Sequence, residues 1–235
     1  MASSTSPPRT LQRLESAENH KFLHPEKRIQ DGDDVSFFLA SKAYSDIMTF
    51  IFQLNIAMLP RKVYNNSTGS YSIKEWTLKD PDVPLPPVAE NLAKLIEALS
   101  AIIDEVPPDT GPRRFGNVSF RKWVSIVKER QPALMDQYLP ADILTLGTKD
   151  TEVSARAELD AYLIGSFGSS ERLDYGTGHE LSFIAFLGCL WKLNAFPESQ
   201  NDEQERAIVL GVIEPCAYRP PSSQLVIDNV ADILI

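Results

Sequence analysis

The densest concentration of groups able to do chemistry lies in one block, Ser166-Phe167-Gly168-Ser169-Ser170-Glu171-Arg172-Leu173-Asp174-Tyr175-Gly176-Thr177-Gly178-His179-Glu180. Glycines loosen its backbone, both signs of charge are present, and an imidazole and a carboxylate stand where a strongly apolar run begins. Polar groups at a core-bound helix terminus must be hydrogen-bonded or wet, since burying one without a partner costs roughly 1–3 kcal/mol or more. The block therefore marks either a cleft or a tight cap. In the plainer reading Asp174 pairs with Arg172 or caps the helix, the glycines make turns and His179 is a satisfied core histidine. Spacing leaves both readings open. A second segment, Gly111-Pro112-Arg113-Arg114-Phe115-Gly116-Asn117-Val118-Ser119-Phe120-Arg121-Lys122-Trp123, sets adjacent arginines at the mouth of a helix, whose free N–H groups favour anions. The alternative is a solvated face, or salt bridges to the acidic surplus.

Several chemistries are excluded. The chain has three histidines, of which His20 and His24 lie in a polar N-terminal stretch, and this argues against a catalytic triad. His179-Glu180 is not a zinc-protease motif, because Phe183 stands where the second histidine would be. No G-x-x-x-x-G-K-[ST] loop is present, and Gly176-Thr177-Gly178 follows a polar loop and not a strand, so neither P-loop nor dinucleotide-binding chemistry is supported. With two cysteines, Cys189 and Cys216, neither a disulfide framework nor a Cys-rich zinc site can be built, which fits a reducing cytosol or nucleus. The glycosylation-like triplets at Asn65, Asn66 and Asn117 then carry no weight.

These groups must be positioned by a chain of 235 residues, enough for one large domain or two small ones. Apolar residues make up 43% and charged residues 23%, as in ordinary globular proteins. The 23 Lys+Arg against 32 Asp+Glu give a net charge of -9, so a phosphate backbone would be repelled and nucleic acid is not expected as a partner. The N-terminus lacks a secretory core. The richest apolar stretch, Ile47 to Leu59, is broken by Thr49, Gln53 and Asn55, so no membrane span is expected.

Residues 1–30 read as a polar leader, extended or disordered and remote from any active site. Phe37, Phe38, Tyr44, Ile47, Met48, Ile51, Leu54 and Met58 recur at helical spacing up to Pro60, giving one or two helices. Arg61 to Pro87 reads as a long loop, with Tyr71 and Trp76 as packing anchors. Pro86-Pro87 opens a helix with Val88, Leu92, Leu95, Ile96, Leu99, Ile102 and Ile103 on one stripe, ended by Pro107-Pro108. Asn117 is placed to cap the next helix, which buries Phe120, Trp123, Val124 and Val127, turns Arg121, Lys122 and Lys128 outward, and closes at Pro132. Further helices are expected over Thr151–Ile164, Gly178–Phe196 and 202–214. The run Leu181 to Trp191 is apolar nearly all round, as in a central core helix. No convincing period-two alternation, internal repeat or βαβ rhythm is found, and the fold class is all-α.

The two motif segments resemble the phosphotyrosyl phosphatase activator family, the protein phosphatase 2A activators: Arg113-Arg114-Phe115-Gly116-Asn117 with Phe120-Arg121 and Trp123, and the block from Ser166 to Glu180. Ser41-Lys42-Ala43-Tyr44 and Pro60-Arg61-Lys62 look like the fungal members. The resemblance covers residues 29 to about 213. It implies a multi-helix fold with a cleft between a core and a lid or linker subdomain. It also implies binding to a phosphatase 2A-type catalytic subunit, ATP- and magnesium-dependent activation of that subunit, and peptidyl-prolyl cis-trans isomerase activity on a proline-containing segment. On that basis Asp174, Tyr175 and His179 are the expected catalytic groups. Phe167, Gly176, Gly178 and Glu180 are expected to bind substrate, and Arg113, Arg114 and Arg172 the nucleotide phosphates or the acidic partner. Glu180 or Asp174 are candidate oxygen contacts for magnesium, without a dedicated metal site.

The family's V-W-G-L-D-D-[YF]-x-F-L-P-F type motif is not found after Glu214. Residues 31–214 are accordingly expected to form an incomplete activator domain, and 215–235 an unrelated tail. The competing expectations are a non-catalytic scaffold or chaperone for the catalytic subunit, or an inactive truncated fragment. A cytoplasmic location, with nuclear presence as well, is expected.

Overall fold

The computed structural model describes residues 10–217 apart from 68, 79, 81, 108, 110–116, 148–152 and 174–175. The fold is mostly helical, as expected. Helix α1 (Gly32–Leu39) starts where the Asp31 carboxylate accepts from the amides of Asp33 and Asp34, and α2 (Lys42–Met58) where the Ser41 hydroxyl accepts from Tyr44. Side-chain oxygens at these positions take amides that the helix itself cannot satisfy. Helix α3 (Pro87–Glu105) opens with proline in its first turn and buries the expected stripe, from Val88 through Leu92, Leu95 and Leu99 to Ile103. It packs on α4 (Ser119–Tyr138). A short α5 (Ala141–Leu144) leads towards α6 (Ala155–Gly165), capped by Ser154. Helix α6 packs against α7 (Thr177–Lys192), the central helix, whose Phe183, Ile184, Phe186, Leu187 and Leu190 are buried. Then α8 (Glu203–Ile208) widens into a π-helical turn over Val209–Ile213 and tightens again as α9 (Glu214–Ala217).

Several expectations are corrected. The stretch Arg61–Pro87 is not all loop: β1 (Arg61–Asn65) and β2 (Ser70–Lys74) pair antiparallel, with Tyr64 opposite Tyr71. Both faces of this ribbon are largely exposed; β1 carries no apolar/polar alternation, and that of β2, Ser70-Tyr71-Ser72-Ile73-Lys74, is too short and too exposed to mark a buried face. Tyr71 is 63% exposed and packs only at the surface, against Tyr64 and under Lys62. Trp76 does anchor, half-buried beneath Arg206. Pro132 does not end α4, because Gln131 and Met135 on either side are buried and Gln131 donates to Asp160 of α6 at 2.8 Å. Tertiary packing outweighs the lost helical hydrogen bond there. The last helix is interrupted where Leu85 approaches Gly211 so closely that a Cβ would lie 2.6 Å from its Cδ2.

The leader is extended from residue 10 but is held to the core. Leu11 is buried, its amide donates to Gln53 Oε1 at 2.9 Å, and its carbonyl accepts from Trp191 Nε1 at 3.0 Å. Arg13 stacks on the Trp191 ring and donates to the Phe196 carbonyl. A low count of apolar residues concealed two anchors, Leu11 and Phe22, each 4% exposed. Among the described residues no single helix is long and apolar enough to cross a membrane.

Candidate functional site

The described residues of the Ser166–Glu180 block form the corner between α6 and α7. At its near end, Ser166 is buried and its hydroxyl donates to the Leu163 carbonyl at 2.6 Å. Phe167 is 2% exposed and meets Trp123 of α4 edge to face, with ring centroids 5.3 Å apart. Gly168 takes φ 104°, open to glycine at little steric cost, and turns the chain outward. Leu173 closes a turn by donating its amide to the Ser169 carbonyl at 2.8 Å, while the Arg172 amide donates to Ser169 Oγ. Leu173 also takes a left-handed φ of 57°, unusual for a side chain of its size.

At the far end Gly176 is extended and precedes α7, with open space where a Cβ would stand; the same is true of Gly178. His179 is half-buried and its Nδ1 lies 2.6 Å from the carbonyl oxygen of Gly165. A carbonyl only accepts, so Nδ1 carries the hydrogen, which fixes the tautomer of the neutral ring with Nε2 as acceptor. Glu180 is 5% exposed in the first turn of α7, where the unsatisfied amides favour a carboxylate. Helix α6 abuts α7 tightly here, since a Cβ on Gly165 would lie 3.3 Å from Ser182 Oγ.

The first motif reaches this corner through α4. Asn117 behaves as a stitch: its Oδ1 accepts from the amides of Asp109 and Ser119, and its Nδ2 donates to the Asp109 carbonyl at 3.1 Å. The N-cap position itself falls to Val118, so Asn117 meets the Ser119 amide from one residue before the cap. Trp123 lies between Phe120, stacked at 5.7 Å, and Phe167. Its Nε1 is buried and finds no hydrogen-bond partner among the described residues. Arg121, read from sequence as an outward residue of the first motif, donates from Nε to the Ser170 carbonyl at 3.0 Å and from Nη2 to the Glu171 carbonyl at 3.2 Å. No local spacing announces such a contact, because 49 and 50 residues separate the partners.

The structure therefore brings Phe167, Arg172, Gly176, Gly178, His179 and Glu180 to one corner. Phe167 and His179 face inward to Trp123 and Gly165, while Arg172, Gly176 and Gly178 are exposed. Asp174, Tyr175, Arg113 and Arg114 lie outside the described residues. Among the described residues no three His, Cys, Asp or Glu side chains converge to hold an ion.

This corner, on a mostly helical scaffold, defines a phosphatase-activator type of protein: a family model described as phosphotyrosyl phosphate activator (PTPA) protein matches residues 25–218, and the chain belongs to that family. Among similar proteins, the serine/threonine-protein phosphatase 2A activator 1 of Aspergillus fumigatus is 48% identical over 210 residues, covering 89% of this chain and 43% of that protein. Its counterpart from Emericella nidulans is 47% identical over 212 residues, covering 90% and 48%. The crystal structure of the PP2A phosphatase activator Ypa1 is similar with a TM-score of 0.64 at 28% identity, covering 87% of this chain and 57% of that one. The chain spans about half the length of the curated relatives it matches.

Proposed function

We propose that the chain engages a protein phosphatase 2A-type catalytic subunit and promotes its active form, using the α6–α7 corner as the contact that matters. The observation carrying this reading is the Ser166–Glu180 block, the most specific family motif in the chain, held as one built corner by Arg121, Trp123 and the His179–Gly165 bond. Activators of this phosphatase are also what the similar fungal proteins are named.

The finer reading is a peptidyl-prolyl isomerase assisted by ATP and magnesium, with a cleft beside the corner taking a proline-bearing segment. Rotating an X–Pro amide needs no nucleophile; it needs a pocket that disfavours the planar amide, whose barrier is about 18–20 kcal/mol, and donors that hold the twisted form. Asp174, Tyr175 and His179 are assigned those polar contacts, Phe167, Gly176, Gly178 and Glu180 the segment itself, and Arg113, Arg114 and Arg172 the nucleotide phosphates. A cytoplasmic and nuclear location belongs to the same reading.

A second reading, a scaffold that binds the catalytic subunit without turnover, is favoured by two side chains in particular. Phe167 is packed on Trp123 and His179 is tied to a backbone carbonyl, so both serve the corner's shape. The purified full chain is tested in two assays, reactivation of an inactive phosphatase 2A catalytic subunit and protease-coupled isomerisation of a proline peptide. Activity in both supports the finer reading. Reactivation without isomerisation supports the scaffold, and complex formation with neither leaves only binding.

A further inference from the structure

We propose that Arg121 is a positioning residue that clamps the Ser169–Leu173 turn onto α4 and so holds the α6–α7 corner in its binding-competent shape. The functional half of this proposal rests on the reading above; the structural half does not.

At its tip the turn meets α4 through Arg121. Its own hydrogen bonds close it internally, from Leu173 N to Ser169 O and from Arg172 N to Ser169 Oγ. Its base is fixed by Phe167 against Trp123. Between these lie the carbonyls of half-buried Ser170 and exposed Glu171, and both accept from the one guanidinium of Arg121. A planar, delocalised guanidinium with donors in a fixed fork can meet two successive carbonyls at once. A lysine ammonium, a compact charge on a flexible stem, supplies no such fork. Arg121 and Trp123 leave the same helix two residues apart and take the tip and the base of the turn, so the turn is referenced to α4 at two heights. The positive φ of Leu173 is a strained conformation that persists only where surroundings over-determine it. Two contacts from outside the turn do so: the Leu173 side chain packs against the core, and the clamp holds the carbonyls of Ser170 and Glu171 just before it.

If the competent shape is populated only in part without the clamp, apparent affinity for the partner falls by that fraction while the fully bound complex works normally. The test uses the full chain with Arg121→Ala, Arg121→Lys and, as a neighbour on the same helix, Lys122→Ala. Amide hydrogen exchange reads the clamp directly. Arg121→Ala is expected to speed exchange at Arg172 and Leu173 about tenfold, Arg121→Lys by less, and Lys122→Ala not at all, with α3 unchanged in every case. In reactivation of the phosphatase catalytic subunit, Arg121→Ala is expected to raise the concentration for half-maximal effect about tenfold with the plateau unchanged, and Arg121→Lys to restore part of it. Unchanged exchange at Arg172 and Leu173, or a uniform acceleration reaching α3, overturns the clamp. Faster exchange with an unaltered half-maximal concentration overturns its positioning role. A wild-type chain that reactivates nothing sinks the functional reading, and the exchange result still decides the clamp.

Discussion

His179 and Gly165, fourteen residues apart, are joined by a 2.6 Å hydrogen bond from the imidazole Nδ1 to the backbone carbonyl oxygen. The bond crosses from the first turn of α7 to the last residue of α6, so the ring that sequence assigns to catalysis also closes the corner. Asparagine carries an amide N–H near the position of Nδ1, whereas glutamine reaches towards Nε2. His179→Asn is therefore expected to keep stability within about 0.5 kcal/mol, and His179→Gln to lose about 1–1.5 kcal/mol, measured by urea unfolding. Phosphatase reactivation should follow the same order if the ring acts as a tie. The reverse order, with glutamine active and asparagine dead, would mean that Nε2 does the chemistry.

Arg206 is 4% exposed, with its guanidinium carbon 4.1 Å from the centroid of Trp76 and its Nη1 donating to the Ala57 carbonyl at 3.2 Å. It joins α2, α8 and the segment leaving the hairpin. Burial lowers its pKa, with Arg61 adding repulsion, but an arginine stays charged across the accessible pH range. Truncation to alanine removes the stacked cation and orphans the carbonyls it served, at an expected cost of about 3 kcal/mol. Trp76→Phe is expected to cost under about 1 kcal/mol, because Trp76 Nε1 is buried without a partner among the described residues and the phenyl ring keeps the stack. Thermal and urea unfolding of the two variants gives the comparison; equal losses would show that a phenyl ring does not keep the stack and that the indole contact, not the hydrogen bonds, dominates.

Elements with a buried stripe were legible, and so were those with punctuation of a single meaning. Pro86-Pro87 opens α3 because the missing amide is harmless in a first turn. The apolar run of α7 reads as central because no face of it is polar enough for water. Legibility failed where tertiary contacts settle a local ambiguity. Pro132 looks like a stop, yet buried Gln131 and Met135 hold α4 together through it. The hairpin has an Asn65 side chain that accepts from Ser67 and a Gly69 at φ 63°, both ordinary turn chemistry, but β1 does not alternate and the alternation of β2 covers only five exposed residues. At the corner, the residue types were readable as a motif. Their division into inward ties and exposed groups was not, because Trp123 and Arg121 come from a helix some fifty residues earlier.

Asp46 accepts from Lys42 at 2.8 Å on its own helix and from Lys192 of α7 at 2.6 Å. Burial opposes its charge, but the hydrogen bonds from Lys192 and Lys42 outweigh that and lower its pKa below the ordinary 3.8. A depressed carboxylate contributes stability that is present above its unfolded pKa and lost as pH falls through its folded one. Asp46→Asn is therefore expected to cost about 1 kcal/mol at pH 7, and this deficit should vanish in the acid range below the ordinary carboxylate pKa. Unfolding free energies of wild type and variant at neutral and acid pH measure it. A deficit that persisted in acid would mean that the amide disturbs packing and that the ion pairs contribute little.

Cys189 lies on α7, and burial, followed by the nearby Glu158 carboxylate, pushes its thiol up to about 12. Only the thiolate attacks alkylating reagents, and at pH 8 its fraction is roughly a thousandfold smaller than in a thiol of ordinary pKa. In a Cys216→Ser background, so that one thiol remains, iodoacetamide should modify Cys189 over a thousandfold more slowly in native buffer than in urea. The native rate should rise with pH between 7 and 9, as the unfolded one does, while staying far below it, because the thiolate fraction sets both rates. A native rate that matched the unfolded one across this range would mean that burial does not raise the Cys189 thiol.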